Sequence, residues 1–422
     1  MVLRALILLS AALAAFAARA DERVVPAVPG ALADAVRMAG AGDILRLAPG
    51  THAGPVVIER PLVLDGGGVA TIDGNGDGSV ITVQGPGVTI TGLTIIGSGS
   101  GGDGLDAGVT LTKDARDAVV RGNRIRGNLV GVDVHGARNA LVRENVIEGR
   151  RDHRMNDRGN AVYVWNAPGA RVIRNDIRWG RDGIFVNTSS NNEFIGNRFR
   201  DLRFAVHYMY AHDSTVADNI SIGNHLGYAV MNSQNVTVTG NLSRDDRDHG
   251  IMLNYTNKSI ITGNRVEDGG EKCVFIYNAH KNRVEGNRLE RCLIGIHFTA
   301  GSERNQITGN AFVSNRTQVR YAGTKWVDWS VDGRGNYWSD FAAYDLNGDG
   351  IAEGTFRPND AVDRILWTQP SARLLLGSPA VQLVRWSQSS FPALLSGGVI
   401  DGHPLMVPVD PAIPDWETLN VN

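Results

Sequence analysis

The sequence has only two cysteines, Cys273 and Cys292, too few for a disulfide scaffold, and no C-x-x-C pair suggests a structural zinc site. It has no excess charge of either sign: 42 Lys and Arg face 44 Asp and Glu, a formal net charge of −2. That balance argues against a nucleic-acid partner, which would call for a basic excess or stripe. Beyond the N-terminus no stretch approaches the ~20 consecutive apolar residues of a membrane span. Proline is an ordinary 15, and with 42% hydrophobic residues the chain does not read as disordered. Glycine is what the sequence has in plenty: 51 of 422 residues, against a usual ~7%, with no collagen period. The length exceeds what one compact core normally fills, which predicts two domains or one elongated architecture.

Residues 1–20 read as a secretory signal. Arg4 supplies the positive start, Ala5 to Ala18 an apolar run, and Ala18-Arg19-Ala20 a small-x-small cleavage site. The mature chain is expected to be exported, beginning near Asp21, with no membrane span of its own. In an oxidising compartment Cys273 and Cys292 could pair, although two thiols alone leave this open.

The middle of the chain repeats. An Asn followed within two positions by an apolar residue recurs at Asn123, Asn145, Asn175, Asn197, Asn219, Asn241, Asn264, Asn287 and Asn310, in steps of 22, 30, 22, 22, 22, 23, 23 and 23. A second short β run follows each Asn at a fixed offset, as in Gly183–Asn187 and Gly250–Asn254. Short β runs separated by Gly and Asn at this period predict an all-β fold, a right-handed parallel β-helix whose coils stack about 4.8 Å apart. Asn tolerates a left-handed bend and its stacked amides can form a ladder. The L-x-x-L-x-L signature of a leucine-rich solenoid is absent. Four segments are expected: a signal peptide over 1–20, an N-terminal cap over 21–42 with a helix at Ala31–Met38, the β-helix over 43–340, and a C-terminal extension over 341–422.

Alternation along each strand assigns the faces. In the runs beginning at Ala161, Gly183, Ala205, Gly227, Gly250, Cys273 and Gly295, the second and fourth positions are all apolar or aromatic and should point inward. The third positions are Tyr163, Phe185, His207, Ala229, Met252, Phe275 and His297; the fifth are Trp165, Asn187, Met209, Met231, Asn254, Tyr277 and Thr299. These outward columns contain no Asp, Glu, Lys or Arg, which is not the composition of a solvated surface. Tyr163, Trp165, Phe185, Phe275, Tyr277 and His297 are candidates for partner binding. His207, Met209, Met231 and Met252 fall close enough by strand geometry to converge on one ion, and soft sulfur ligands select Cu(I). The same side chains would also suit packing under a returning C-terminal segment, with Met as gap filler. Eight extra residues in the 30-residue step, within Glu148–Arg158, form a loop that can overhang this face and adds His153 and Met155 as candidate ligands.

After the repeat, Asp345, Asn347, Asp349 and Gly350 match the start of a calcium loop, but Phe356 stands where the closing bidentate Glu belongs. Calcium binding or a plain Asx-rich turn both fit. Ser378-Pro379 reads as a helix start and Phe391-Pro392 as its end, with Trp386 available for docking.

Several stretches resemble the NosD family, periplasmic β-helix proteins of nitrous oxide reductase maturation. They are Asp157–Asn160, Arg181–Ile184, Ala205–Met209, Gly227–Met231, Gly250–Tyr255, Phe275–Asn278, Gly295–His297, Ser330–Asp340 and Pro358–Asp360. The resemblance runs over nearly the whole mature chain, and Cys273 and Cys292 are not part of its pattern. It implies a non-enzymatic copper-handling protein that works with the ATPase and membrane subunits of an ABC transporter. It further implies a copper-chaperone lipoprotein and nitrous oxide reductase as partners, with Cu(I) received and passed on during assembly of the reductase's copper centre. ATP hydrolysis would belong to a partner, since no G-x-x-x-x-G-K-[ST] occurs here. Two other readings stay open. A polysaccharide lyase or epimerase would need carboxylates or basic groups, for which Arg181, Asp182, Asp245, Asp246, Asp248 and His249 lie in turns. A metal-free scaffold would use the aromatic face for protein binding alone.

Overall fold

The computed structural model describes residues 20–101, 105–299, 301–323, 325–359, 361–390 and 397–414. The signal-peptide reading falls, apart from Ala20, outside these residues. The chain winds into a right-handed parallel β-solenoid of about 14 turns. Twelve strands, from Val56–Ile58 to Thr317–Ala322, stack as one parallel wall. The other two walls share the long strands Val63–Asp73 and Thr89–Ile96. Helix α1, Ala31–Met38, lies near the first coils and sets Leu32 and Val36 into the core.

The repeated asparagines form one continuous ladder. Asn123 Nδ2 donates to Asn145 Oδ1 at 3.0 Å, and the bond repeats through Asn175, Asn197, Asn219, Asn241, Asn264, Asn287 and Asn310 to Asn336. Each rung also accepts a backbone N–H and reaches a carbonyl of an earlier coil; Asn219, for example, donates to the Phe194 carbonyl at 2.8 Å and accepts from the Asn197 backbone. The ladder amides are thus saturated, as burial requires. One expectation is corrected: these asparagines do not take the left-handed bend. The residue before each does, from Gly122 and Glu144 through Arg174 and Asp218 to Gly309, with φ of 54–68°. The ladder needs the Asn side chain inside, so the reversal falls one position earlier, where a side chain points to solvent.

Cys273 and Cys292 form a disulfide with Cα atoms 5.7 Å apart, buried inside the solenoid. It closes a short stretch between two successive coils, which restricts the unfolded chain by about 3 kcal/mol.

The asparagine ladder ends on a carboxylate. Asp401 Oδ2 accepts from the Asn336 backbone and from Trp338 Nε1, both at 2.7 Å. Burial pushes the Asp401 carboxyl above its usual range. The same returning segment pairs Gly398–Ile400 in parallel with Trp326–Asp328, and Phe312, Trp338 and Phe356 stack beneath it at 4.2 and 5.0 Å. The return therefore closes the end of the solenoid, and among the described residues its hydrogen bonds and ring contacts do not lie over the Met column. Helices α2 (Ala361–Thr368) and α3 (Pro379–Ser390) precede this return in the chain. On α3, Leu383, Val384 and Trp386 are exposed.

Candidate functional site

The inward columns lie where alternation puts them: Val162, Ile184, Val206, Tyr228, Ile251, Val274 and Ile296, and their fourth-position partners, are at most 2% exposed. Alternation fails just before them. The first position also points inward, since a Cβ on Gly183 would meet the core ring of Phe199, while Ala205 and Cys273 sit in the core itself. Two consecutive inward residues return the position before them to the outside. That earlier column, Asp182, Phe204, Leu226, His249 and Lys272, is continuous in register. It was missed in the sequence reading, and extending the same alignment one residue upstream would have found it. The outer face is therefore not free of charge: Asp182 and Lys272 stand on it.

The register brings the candidate ligands together around one small residue. Ala229 pairs with His207 on the preceding coil and with Met252 on the following one. Met231, two residues along its own strand, pairs with Met209. Leu226, Ala229 and Met252 form a buried cluster on the outside of the wall, with Phe204, Met231 and Phe275 packed against it. Neighbouring coils lie about 4.8 Å apart. The missing side-chain bulk at Ala229 thus leaves a floor bounded by one imidazole and three thioethers. Met209 and Met231 are half-buried; His207 and Met252 are buried.

His207 is held on several sides. Phe185 stacks on its ring at a centroid distance of 4.7 Å, and Phe204 meets it edge-on at 4.8 Å. Its Nδ1 lies 3.2 Å from Asp182 Oδ2. Its Nε2 is buried and has no hydrogen-bond partner in the protein. Asp182 is wholly buried and receives Arg203 through two bonds, Nε to Oδ1 at 2.8 Å and Nη2 to Oδ2 at 2.7 Å. Burial pushes the Asp182 carboxyl up, but the hydrogen bonds from His207 and Arg203 outweigh it and hold it below its usual range. A buried imidazole nitrogen without a proton partner, beside soft sulfur donors, fits a soft cation such as Cu(I).

Aromatic stacks run away from this floor in both directions. Tyr163 stacks on Phe185 at 5.4 Å, Trp165 on His135 at 4.3 Å, and Phe275 lies 5.0 Å from His297. Tyr277 is exposed and meets Tyr255 at 5.8 Å. Tyr210 and Tyr255, not singled out in the sequence, are the most exposed aromatics of this wall; both have φ of 50°, which a bulky residue rarely adopts. At the C-terminal end of the face, burial, then Arg320 and Lys272, pull the His297 imidazole down to about 4. Lys272 Nζ sits 5.2 Å from the Phe275 ring centroid. These cationic neighbours make that end a poorer seat for a cation than the His207 end. At the other end, burial raises Asp133 to about 7.

Two further candidates lie elsewhere. The Glu148–Arg158 loop is tied by Arg150 to the carbonyl of Gly99 and by Arg151 over the Trp179 ring. His153 is exposed against Asp152, and Met155 begins a short 3-10 turn. Among the described residues, no contact joins His153 or Met155 to His207 or to the face methionines. Asp345, Asn347 and Asp349 form an Asx-rich turn: Asp345 accepts backbone N–H from Gly348 and Gly350, Asn347 from Asp349, and Asp349 from Ile351.

The family model described as periplasmic copper-binding protein (NosD) matches residues 143–343, and a right-handed beta helix model matches residues 70–177. A relative from Stutzerimonas stutzeri, named probable ABC transporter binding protein NosD, is 43% identical over 375 residues, 86% of each chain. One of the same name from Pseudomonas aeruginosa is 44% identical over 373 residues, covering 85% of this chain and 87% of the relative. Among solved structures, the alginate lyase AlyF-OU02 superposes with a TM-score of 0.56 at 14% identity, over 72% of this chain and 84% of its own. A DFA-IIIase from Arthrobacter chlorophenolicus gives 0.51 at 14%, over 68% and 89%. Those two likenesses speak to the coil architecture alone. No helix among the described residues is long and apolar enough to cross a membrane. Identity at this level over most of both chains establishes that this protein belongs to the NosD family of periplasmic copper-binding proteins.

Proposed function

We propose that this chain carries Cu(I) on the outer face of its β-helix, at His207, Met209, Met231 and Met252 around the floor of Ala229. In this reading it takes the ion from a copper-chaperone lipoprotein and supports assembly of the copper centre of nitrous oxide reductase, alongside the ATPase and membrane subunits of an ABC transporter. The copper description of the family and the transporter named in both relatives support it. The observation that carries the site is the buried, unpartnered Nε2 of His207, two coils from Met252 in its own column and beside the Met209–Met231 pair of the next outward column. A neutral imidazole and thioethers bind Cu(I) without placing a fixed negative charge on the ion, which suits a cargo that must leave again. The half-buried aromatics Tyr163, Trp165, Phe185 and Phe275, with the exposed Tyr277, supply an amphipathic surface for the partner at the moment of exchange.

A polysaccharide enzyme draws less from the same wall. Asp246 lies inside the solenoid, bonded to Ser221 and Ser243, and Asp182 is committed to Arg203 and His207. Neither is free to act as a general acid on the outer face. Calcium has less support: Asp345, Asn347 and Asp349 bond within an Asx-rich turn, and Phe356 stands where the closing carboxylate of a calcium loop belongs.

The test is competitive Cu(I) titration of the purified mature protein against a chromophoric chelator. Met209→Ala combined with Met231→Ala is expected to weaken Cu(I) binding ~100-fold or more, about 2.7 kcal/mol, with the fold retained. Unchanged affinity in the folded double variant would sink the site.

A further inference from the structure

A neutral imidazole carries one N–H, and only its other nitrogen can bind an ion. Free histidine places that proton mostly on Nε2, the atom that the copper reading needs bare. The geometry points to Asp182 as the positioning residue of the site: its carboxylate keeps the His207 proton on Nδ1 and leaves Nε2 open to the soft cation. This inference rests on the Cu(I) reading above and adds the residue that makes His207 competent for it.

Three observations carry it. Asp182 Oδ2 lies 3.2 Å from His207 Nδ1, and an ionised carboxylate only accepts, so this contact requires a proton on that nitrogen. Arg203 holds both oxygens of the same carboxylate, at 2.8 and 2.7 Å, which fixes its plane and balances its charge. The ring cannot easily turn over, because Phe185 lies on its face and Phe204 against its edge. Asp182 stands one coil before Phe204 in register and Phe185 one coil before His207. The carboxylate therefore reaches the ring from the side away from Ala229 and Met252. It is placed to orient the ligand, and the thioethers lie beyond the ring from it. Such a carboxylate–imidazole pair fixes tautomer and ring orientation, and losing it typically lowers metal affinity 10–100-fold.

The experiment is nitrogen NMR of the His207 ring in the metal-free mature protein, paired with Cu(I) titration of the same samples. Wild type is expected to show the Nδ1–H tautomer. Asp182→Asn should move the ring toward the Nε2–H tautomer and weaken Cu(I) binding ~10–100-fold. If Arg203 left alone unfolds that variant, Asp182→Asn with Arg203→Met removes both charges and should give the same two changes. Arg203→Met alone should keep the tautomer and most of the affinity, since the carboxylate remains. The inference is overturned if the tautomer or the affinity stays at the wild-type value in a folded Asp182 variant. It is equally overturned if Arg203→Met shifts both as far as Asp182→Asn does, because Asp182 would then act only as half of an ion pair. The tautomer is read without metal, so it stands or falls separately from the Met209 and Met231 test of the site.

Discussion

The inside and the outside of the same coils treat polar nitrogen in opposite ways. Inside, every ladder asparagine from Asn123 to Asn310 passes both its Nδ2 and its backbone N–H to the amide oxygen of the next rung. Outside, His207 is almost as buried, yet its Nε2 is left without any partner. An unsatisfied buried nitrogen costs about 1–3 kcal/mol. The difference teaches how the two sides are built: the ladder is saturated rung by rung, while the outer face leaves an imidazole nitrogen open, as it also does at His249 and His297.

The most severe way to break the comparison is to open a valence on the inside. Asn219→Leu removes the acceptor for both the backbone and side-chain N–H of Asn197. Urea denaturation should show a loss of about 3–5 kcal/mol, whereas Ala229→Leu on the outer face should stay well below that figure. A second change concerns buried carboxyls. Burial disfavours the charge of Asp133 and pushes its carboxyl up to about 7, above its ordinary 3.8. Between those values the folded chain keeps a proton that the unfolded chain has released, so stability falls as pH rises from 4 to 7. Asp133→Asn should leave stability at pH 4 nearly unchanged and raise it by about 1–3 kcal/mol at pH 8. An equal gain at both pH values would show that the carboxyl charge is not the cause. The mildest change fills the outer floor and spares every ligand. Ala229→Leu places a branched side chain between His207 and Met252, and Cu(I) titration should show ~10-fold weaker binding, about 1.4 kcal/mol. Affinity at the wild-type level would mean the ion sits elsewhere on the face.

Much of the architecture is legible in the period. Steps of 22 and 23 residues between asparagines specify stacked coils, and the inward columns follow from alternation, because burial on one side forces a period of two. Helix α3 begins at Pro379, where the Ser378-Pro379 signal places it. The site is legible in part. Residue type and column point to His207, Met209, Met231 and Met252, and the register places Met209 beside Met231. Ala229 escaped notice because a small side chain carries no chemical signal; its meaning lies in what surrounds it. Asp182 was visible only as a turn residue. Strict alternation assigned no outward role to the column before the strand, and the two consecutive inward positions that restore it appear only once the coils are stacked. His153 and Met155 were drawn in by loop length, which says how far a segment reaches and nothing of where it is tied.

By itself the sequence determined the repeat, the ladder and which strand face is apolar, because each depends on residue spacing along one coil. Only the tertiary structure decided that Cys273 and Cys292 pair, that Asp401 ends the asparagine ladder, and that Asp182 reaches His207. Each of these joins residues on different coils or on a returning segment. Their separation in sequence says nothing about the few ångströms between them, which are set by how the coils stack and how the chain comes back.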